Sequence, residues 1–153
     1  MLVSSDGTAK GERQDKSGQI IKARLESLGI TVACYDIVPD ELPLIQSKIK
    51  QYVSQGLALV MTTGGTGLGP RDVTVEATEA LLERTIPGIA EAMRVHGQQR
   101  TPYYMLSRGA VGQIENTIII NLPGSSKGTE ESLDAVLPYL LHAYPMMGGG
   151  KHE

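Results

Sequence analysis

The segment Thr117-Ile118-Ile119-Ile120-Asn121-Leu122 narrows the fold more than any other stretch of this chain. A nearly unbroken β-branched run without polar alternation reads as a strand buried on both faces, the kind found inside parallel sheets. Around it, strand-like and helix-like segments alternate. A strand stub (Met1 to Ser5) runs into a polar loop, Asp6 to Lys16. A helix capped by Ser17 then places Ile21, Leu25 and Leu28 at helical spacing and stops at Gly29. Ile30 to Val38 has strand composition. Asp40 is a natural N-cap for a helix with Ile45, Ile49 and Val53 on its apolar face and Gly56 at its end. Leu57 to Thr63 reads as the third strand, followed by a glycine loop and a helix from about Thr74 to Glu83.

The second half continues the pattern. A helix is predicted from about Gly88 to His96, then extended segments Tyr103 to Val111 and Ile114 to Asn116 around a bend at Gly112-Gln113. After Pro123-Gly124-Ser125-Ser126 comes a last helix, Thr129 to about Ala143, which Pro138 should kink. The alternation predicts an α/β fold: a three-layer α/β/α domain with a mostly parallel central sheet. One domain over residues 1–145 is expected, with 146–153 a flexible tail. Ligands of such sheets bind beyond the carboxyl ends of the strands. The loop after Asp6, the glycine loop, Pro123 to Ser126 and Asp40 should therefore meet on one rim.

The glycine loop carries the chemistry. Thr62-Thr63-Gly64-Gly65-Thr66-Gly67-Leu68-Gly69-Pro70-Arg71-Asp72 holds four glycines in six positions, between a strand and a helix. Missing Cβ groups let a ligand approach the backbone, and left-handed dihedrals let successive N–H groups converge on an anion. No Gly-Lys-Ser/Thr closes the loop, and the glycine spacing is not that of a dinucleotide fingerprint. Arg71 can fork onto phosphate oxygens, and Asp72 is a hard-oxygen ligand. Asp40 and Asp72 each lie just past a strand, where a parallel sheet brings them together. Two carboxylates beside a phosphate cradle suit Mg²⁺, although helix capping is the competing role for each.

Composition excludes other classes. The 153 residues carry a net charge of −3, 41% hydrophobic residues and no Trp or Phe. There is neither a basic stripe nor an aromatic platform for nucleic acid. No run of about 18 apolar residues suggests a membrane span, and no secretory leader is evident. The single Cys34 cannot make an internal disulfide and reads as a small core hydrophobe in a buried strand. A cytoplasmic location is expected. His96, His142 and His152 share no metal-binding spacing. The short start before Ser4 suggests a domain cut from a longer or fused polypeptide.

Several motifs carry a family resemblance in chain order. Thr62 to Gly67, Pro70-Arg71-Asp72-Val73-Thr74 and Glu76-Ala77-Thr78 resemble the signature of the MogA/MoaB-type molybdenum-cofactor biosynthesis domain. Val3-Ser4-Ser5-Asp6, Asp15-Lys16-Ser17-Gly18, Pro39-Asp40-Glu41, Pro87-Gly88, Leu106-Ser107-Arg108 and Asn121-Leu122-Pro123-Gly124 agree with it. The resemblance implies a molybdopterin adenylyltransferase: ATP and molybdopterin give adenylyl-molybdopterin and diphosphate, with Mg²⁺. It implies that Asp40 and Asp72 are catalytic and hold the metal. Nucleotide phosphate would lie on Thr63, Gly64, Gly65, Thr66, Gly67, Arg71, Pro123, Gly124 and Ser125. Molybdopterin would meet Asp6, Asp15, Ser17, Ser107 and Arg108. It further implies a homotrimer working among other molybdenum-cofactor enzymes. Leu68-Gly69 and Ser125-Ser126 depart from the commonest fillings of the pattern. Two other readings compete: a non-catalytic molybdopterin-binding trimerisation module of a fused protein, and a nucleotide hydrolase on a related domain.

Overall fold

A computed structural model describes residues 1–150. Its strands are β1 (Leu2–Ser4), β2 (Asp36–Val38), β3 (Leu59–Thr63), β4 (Arg84–Thr85), β5 (Val111–Ile114) and β6 (Thr117–Leu122). They form one sheet in the order β2-β1-β3-β6-β5-β4. β2, β1, β3 and β6 run parallel, while β5 joins the β6 edge antiparallel and β4 pairs antiparallel with β5. The helices are α1 (Asp6–Ala9), α2 (Lys16–Ser27), α3 (Leu42–Ser54), α4 (Thr74–Glu79), α5 (Pro87–Gln98), α6 (Ser126–Leu140) and α7 (Ala143–Met147), with a short 3-10 helix at Pro102–Leu106.

The predicted two-faced strand is the axis of the molecule. Every residue of β6 is buried. Ile118, Ile120 and Leu122 point into a core shared with Ile21 and Leu25 of α2, Met93 of α5 and Leu133 and Leu137 of α6. Ile119 points the other way, into a core with Ile45, Ile49 and Tyr52 of α3 and Ala77 of α4. Period-two alternation thus divides one apolar run between two helical layers.

Several boundaries differ from the sequence expectation, each for a local reason. β2 begins at Asp36 instead of Ile30, because its partner β1 is three residues long and offers pairing only to Asp36, Ile37 and Val38. Cys34 is consequently half-buried beside Gln55 and lies in no strand. Asp15, not Ser17, caps α2: its carboxylate accepts from the Gly18 amide at 2.8 Å. Glu41, not Asp40, is the N-cap residue of α3, without a side-chain cap bond. α4 stops at Glu79 because the Glu83 amide already donates to the Gln113 carbonyl at the sheet edge.

The hairpin turn falls at Glu115-Asn116, with Glu115 at φ 49°, and Gly112 sits inside β5. A Cβ there would meet the Arg84 carbonyl and the Leu82 side chain, so the glycine admits β4. α6 starts at Ser126 and ends at Leu140, two residues beyond Pro138, whose missing N–H weakens the last turn. Residues 143–147, partly assigned to a tail, form α7, and residues 151–153 of that tail lie outside the described residues.

Candidate functional site

The carboxyl ends of β1, β3 and β6 open onto one cleft of about 520 Å³. It lies where β1 sends the chain to β2 on one side and has β3 on the other, a topological switch point. Glycines bring the strand ends close together. Gly64 (φ +93°) donates its amide to the Leu122 carbonyl at 3.2 Å, and a Cβ on it would strike the Ser4 carbonyl. A Cβ on Gly124 would lie 3.2 Å from Gly64 Cα. Gly65 (φ +68°) packs on the Thr74 side chain, whose hydroxyl is buried without a partner among the described residues.

Two longer helices begin at this cleft. Asp15 caps α2, and its second carboxylate oxygen accepts from the Tyr35 hydroxyl. Burial pushes the Asp15 carboxyl above the usual range. Ser125 caps α6, its Oγ accepting from the Gly128 amide at 3.1 Å. Thr63 and Thr129 both donate to the Pro123 carbonyl, at 2.7 and 2.8 Å, which fixes the path into α6. A carboxylate, Asp15, already sits on the α2 N-terminus, whereas α6 is capped by a neutral serine and has no acidic residue in its first turn, so its positive end is left for an anionic ligand.

Asp40 lines the cleft, held by two donors: Ser4 Oγ at 2.7 Å to Oδ1 and the Asp6 amide at 2.9 Å to Oδ2. The pairing is reciprocal, since the Asp40 amide donates to Asp6 Oδ1 at 3.0 Å. Arg71 then forks onto Asp6, Nε to Oδ2 at 3.0 Å and Nη2 to Oδ1 at 2.9 Å. The Arg71 guanidinium, and next the Asp40 amide, hold the Asp6 carboxyl below the usual carboxylate range. Asp6 faces Arg71 and Asp40, and is not part of the cleft lining.

Asp72 is placed differently from the sequence expectation of an Asp40–Asp72 pair. Its carboxylate turns into its own loop, Oδ2 accepting from the Gly69 amide at 2.8 Å, and it does not line the cleft. Arg108 also lies outside the lining. Its Nε donates to the Gly67 carbonyl at 2.8 Å, Nη2 to the Asp72 carbonyl at 3.0 Å, and Nη1 to Glu76. The Ser107 carbonyl accepts from Arg94 at 3.3 Å. Of the remaining candidates, Ser17, Thr63, Gly64, Gly65, Gly124 and Ser125 face the cleft, whereas Thr66, Gly67 and Pro123 stand behind it.

Among the described residues, no three His, Cys, Asp or Glu side chains cluster to hold a metal. A divalent ion bound mainly by phosphates and water needs fewer protein ligands, and the two oxygens of Asp40 keep lone pairs for one. The donor set fits Mg²⁺ on those terms. Arg13, Lys16, Ser5 and Thr8 line the cleft too and were not selected from sequence. Lys16 stood within a motif, whereas Arg13 had only its charge to mark it. Tyr35 had no signal at all, because its contact with Asp15 spans 20 residues.

A mostly parallel α/β/α domain with a glycine-walled, helix-ended cleft at its switch point is an architecture suited to phosphorylated small molecules. Sequence comparison specifies the family. The profile described as a probable molybdopterin binding domain matches residues 1–142. A Helicobacter pylori protein named molybdopterin adenylyltransferase is 39% identical, over 97% of this chain and 86% of its own length. A Chlorobaculum tepidum molybdenum cofactor biosynthesis bifunctional protein is 37% identical over 99% of this chain and 49% of that protein. The crystal structure of MoaB, a molybdopterin biosynthesis enzyme from Thermus thermophilus, superposes with a TM-score of 0.90 at 47% identity, covering 99% of this chain and 96% of that one. The chain belongs to this family, as a MogA/MoaB-type member. It spans about half the length, or less, of the bifunctional and other fused relatives it matches.

Proposed function

We propose that the protein acts in molybdenum cofactor biosynthesis by transferring the adenylyl group of ATP to molybdopterin. The observation that carries this reading is the cleft itself: the Gly64-Gly65 turn, the starts of α2 and α6, and Asp40 face one space. Relatives named molybdopterin adenylyltransferase support it over most of the chain.

An oxygen of the terminal phosphate of molybdopterin attacks the α-phosphorus of ATP. The bond from that phosphorus to the bridging α–β oxygen breaks, and diphosphate leaves with the electron pair. Such a transfer asks for alignment and for dispersal of negative charge. The Gly65 amide and the first turn of α6 hold nucleotide phosphate. The first turn of α2, with Ser17 and Lys16, receives the second anion. Asp40 is the proposed holder of Mg²⁺, which would neutralise phosphate charge when bound, while Asp72 keeps the glycine loop closed through the Gly69 amide. The Asp6 amide and Ser4 hydroxyl orient the Asp40 carboxylate within the cleft. Arg71 is the proposed phosphate clamp, released from Asp6 by a competing anion. A cytoplasmic homotrimer is the proposed working state.

The test is incubation with Mg·ATP and molybdopterin, with Asp40→Asn alongside, and mass detection of adenylyl-molybdopterin. Product from the native chain and a loss of roughly 100-fold or more in the variant is the expected result. If molybdopterin binds and no product forms, the transferase reading fails. The half-length match to bifunctional relatives then favours a binding module of a fused protein.

A further inference from the structure

Arg108 makes its contacts to the glycine loop and the start of α4, and none of them faces the cleft. The Arg108 amide donates to the Thr66 carbonyl at 3.0 Å, its Nε to the Gly67 carbonyl at 2.8 Å and its Nη2 to the Asp72 carbonyl at 3.0 Å. Nη1 reaches Glu76 on α4. Thr66 and Gly67 lie on the leading arm of the loop, and Asp72 on the returning arm. The guanidinium therefore bridges the loop across its neck.

Little else does so. Among the described residues, the other main-chain link between the arms is Thr74 N–H to the Gly65 carbonyl at 3.2 Å; the Gly69–Asp72 contacts close only the tip. The tip itself, Leu68 to Arg71, is exposed. Glycine-rich backbone without such a tie samples many conformations.

Arg108 is in turn anchored from the core. Fully buried Asn121 donates to Thr62 and Thr78, each at 2.9 Å, and its Oδ1 accepts from the Ala110 amide at 3.2 Å. Gly109, between Arg108 and Ala110, is pressed close as well, since a Cβ on it would lie 2.8 Å from the Asn121 carbonyl.

We infer that Arg108 is a positioning residue, a guanidinium staple that holds the glycine loop and Asp72 in shape, and not a ligand for substrate phosphate. Three nitrogens of one planar fork meet three acceptors, which a lysine ammonium cannot reproduce. The consequence for substrate rests on the proposed adenylyl transfer: the staple governs nucleotide binding and leaves molybdopterin binding alone.

The experiment compares native protein with Arg108→Ala, Arg108→Lys and Glu76→Gln by hydrogen exchange and by titration with Mg·ATP and with molybdopterin. Amides of Gly67, Leu68, Gly69, Arg71 and Asp72 should exchange about ten-fold faster in both Arg108 variants, and only about two-fold faster in Glu76→Gln. Amides of β6 should not change. Affinity for Mg·ATP should fall about ten-fold, and that for molybdopterin should stay within about two-fold. Free guanidinium should restore loop protection in Arg108→Ala. Unchanged loop exchange in both Arg108 variants overturns the staple, as does loss of molybdopterin affinity with loop exchange intact. If Arg108→Ala does not fold, Arg108→Lys and Glu76→Gln decide by the same readings. The exchange result stands whether or not the protein forms adenylyl-molybdopterin, so the two proposals fail separately.

Discussion

Arg71 and Asp6 are 65 residues apart in sequence, yet their forked contact sets the geometry of Asp40 next door. Because the Asp6 carboxyl is held below its ordinary range, its contribution has a definite sign with pH. The stability it lends is fully present above the unfolded value, about 4, and is lost as pH falls through the lower folded value. Asp6→Asn should therefore lower Tm near neutral pH, and the gap from the native protein should close in acid. A gap that persists unchanged at low pH would mean that the ion pair is not its source. The sequence already marked Asp6, Asp40 and Arg71 as site residues. It did not show that Arg71 faces the Asp6 carboxylate, because a forked ion pair depends on where two loops lie in space.

At the scale of elements, α2 and α6 both present capped N-termini to the cleft, by Asp15 and Ser125. Ser125→Ala leaves the Gly128 amide without its acceptor and should cost about 1 kcal/mol in urea unfolding. It should also weaken Mg·ATP binding several-fold if the first turn of α6 holds phosphate. A stability loss with unchanged nucleotide affinity would assign Ser125 to capping alone. Helix interiors were legible because apolar spacing is local: Ile21 and Leu25, or Ile45 and Ile49, lie on the buried faces expected of them. Helix starts were less so. Ser17 and Asp40 are good capping residues by type, but Asp40 is taken by Ser4 and Asp6, and the α2 cap falls two residues earlier, on Asp15. The β5–β6 turn was misplaced for a related reason, since Gly112 serves close strand approach and not a bend.

Across the whole molecule, β6 couples two cores through apolar side chains on its opposite faces. Ile119→Ala and Ile120→Ala remove packing on opposite faces and should each cost about 2–5 kcal/mol. A single unfolding transition should shift in both variants, whether followed by tyrosine absorbance or far-ultraviolet dichroism. Two transitions moving independently would show that the layers unfold separately. The sequence by itself determined the alternation of strands and helices, the two-faced central strand and the glycine turn that leads into α4. These depend on side-chain size, branching and periodicity within short windows. The tertiary structure alone decided which carboxylate faces the cleft, that Asp72 folds into its own loop, and that Arg108 ties that loop together. Those outcomes follow from hydrogen bonds to main-chain groups, the Asp6 amide for Asp40, the Gly69 amide for Asp72 and the Gly67 and Asp72 carbonyls for Arg108, which every residue carries and no residue type announces.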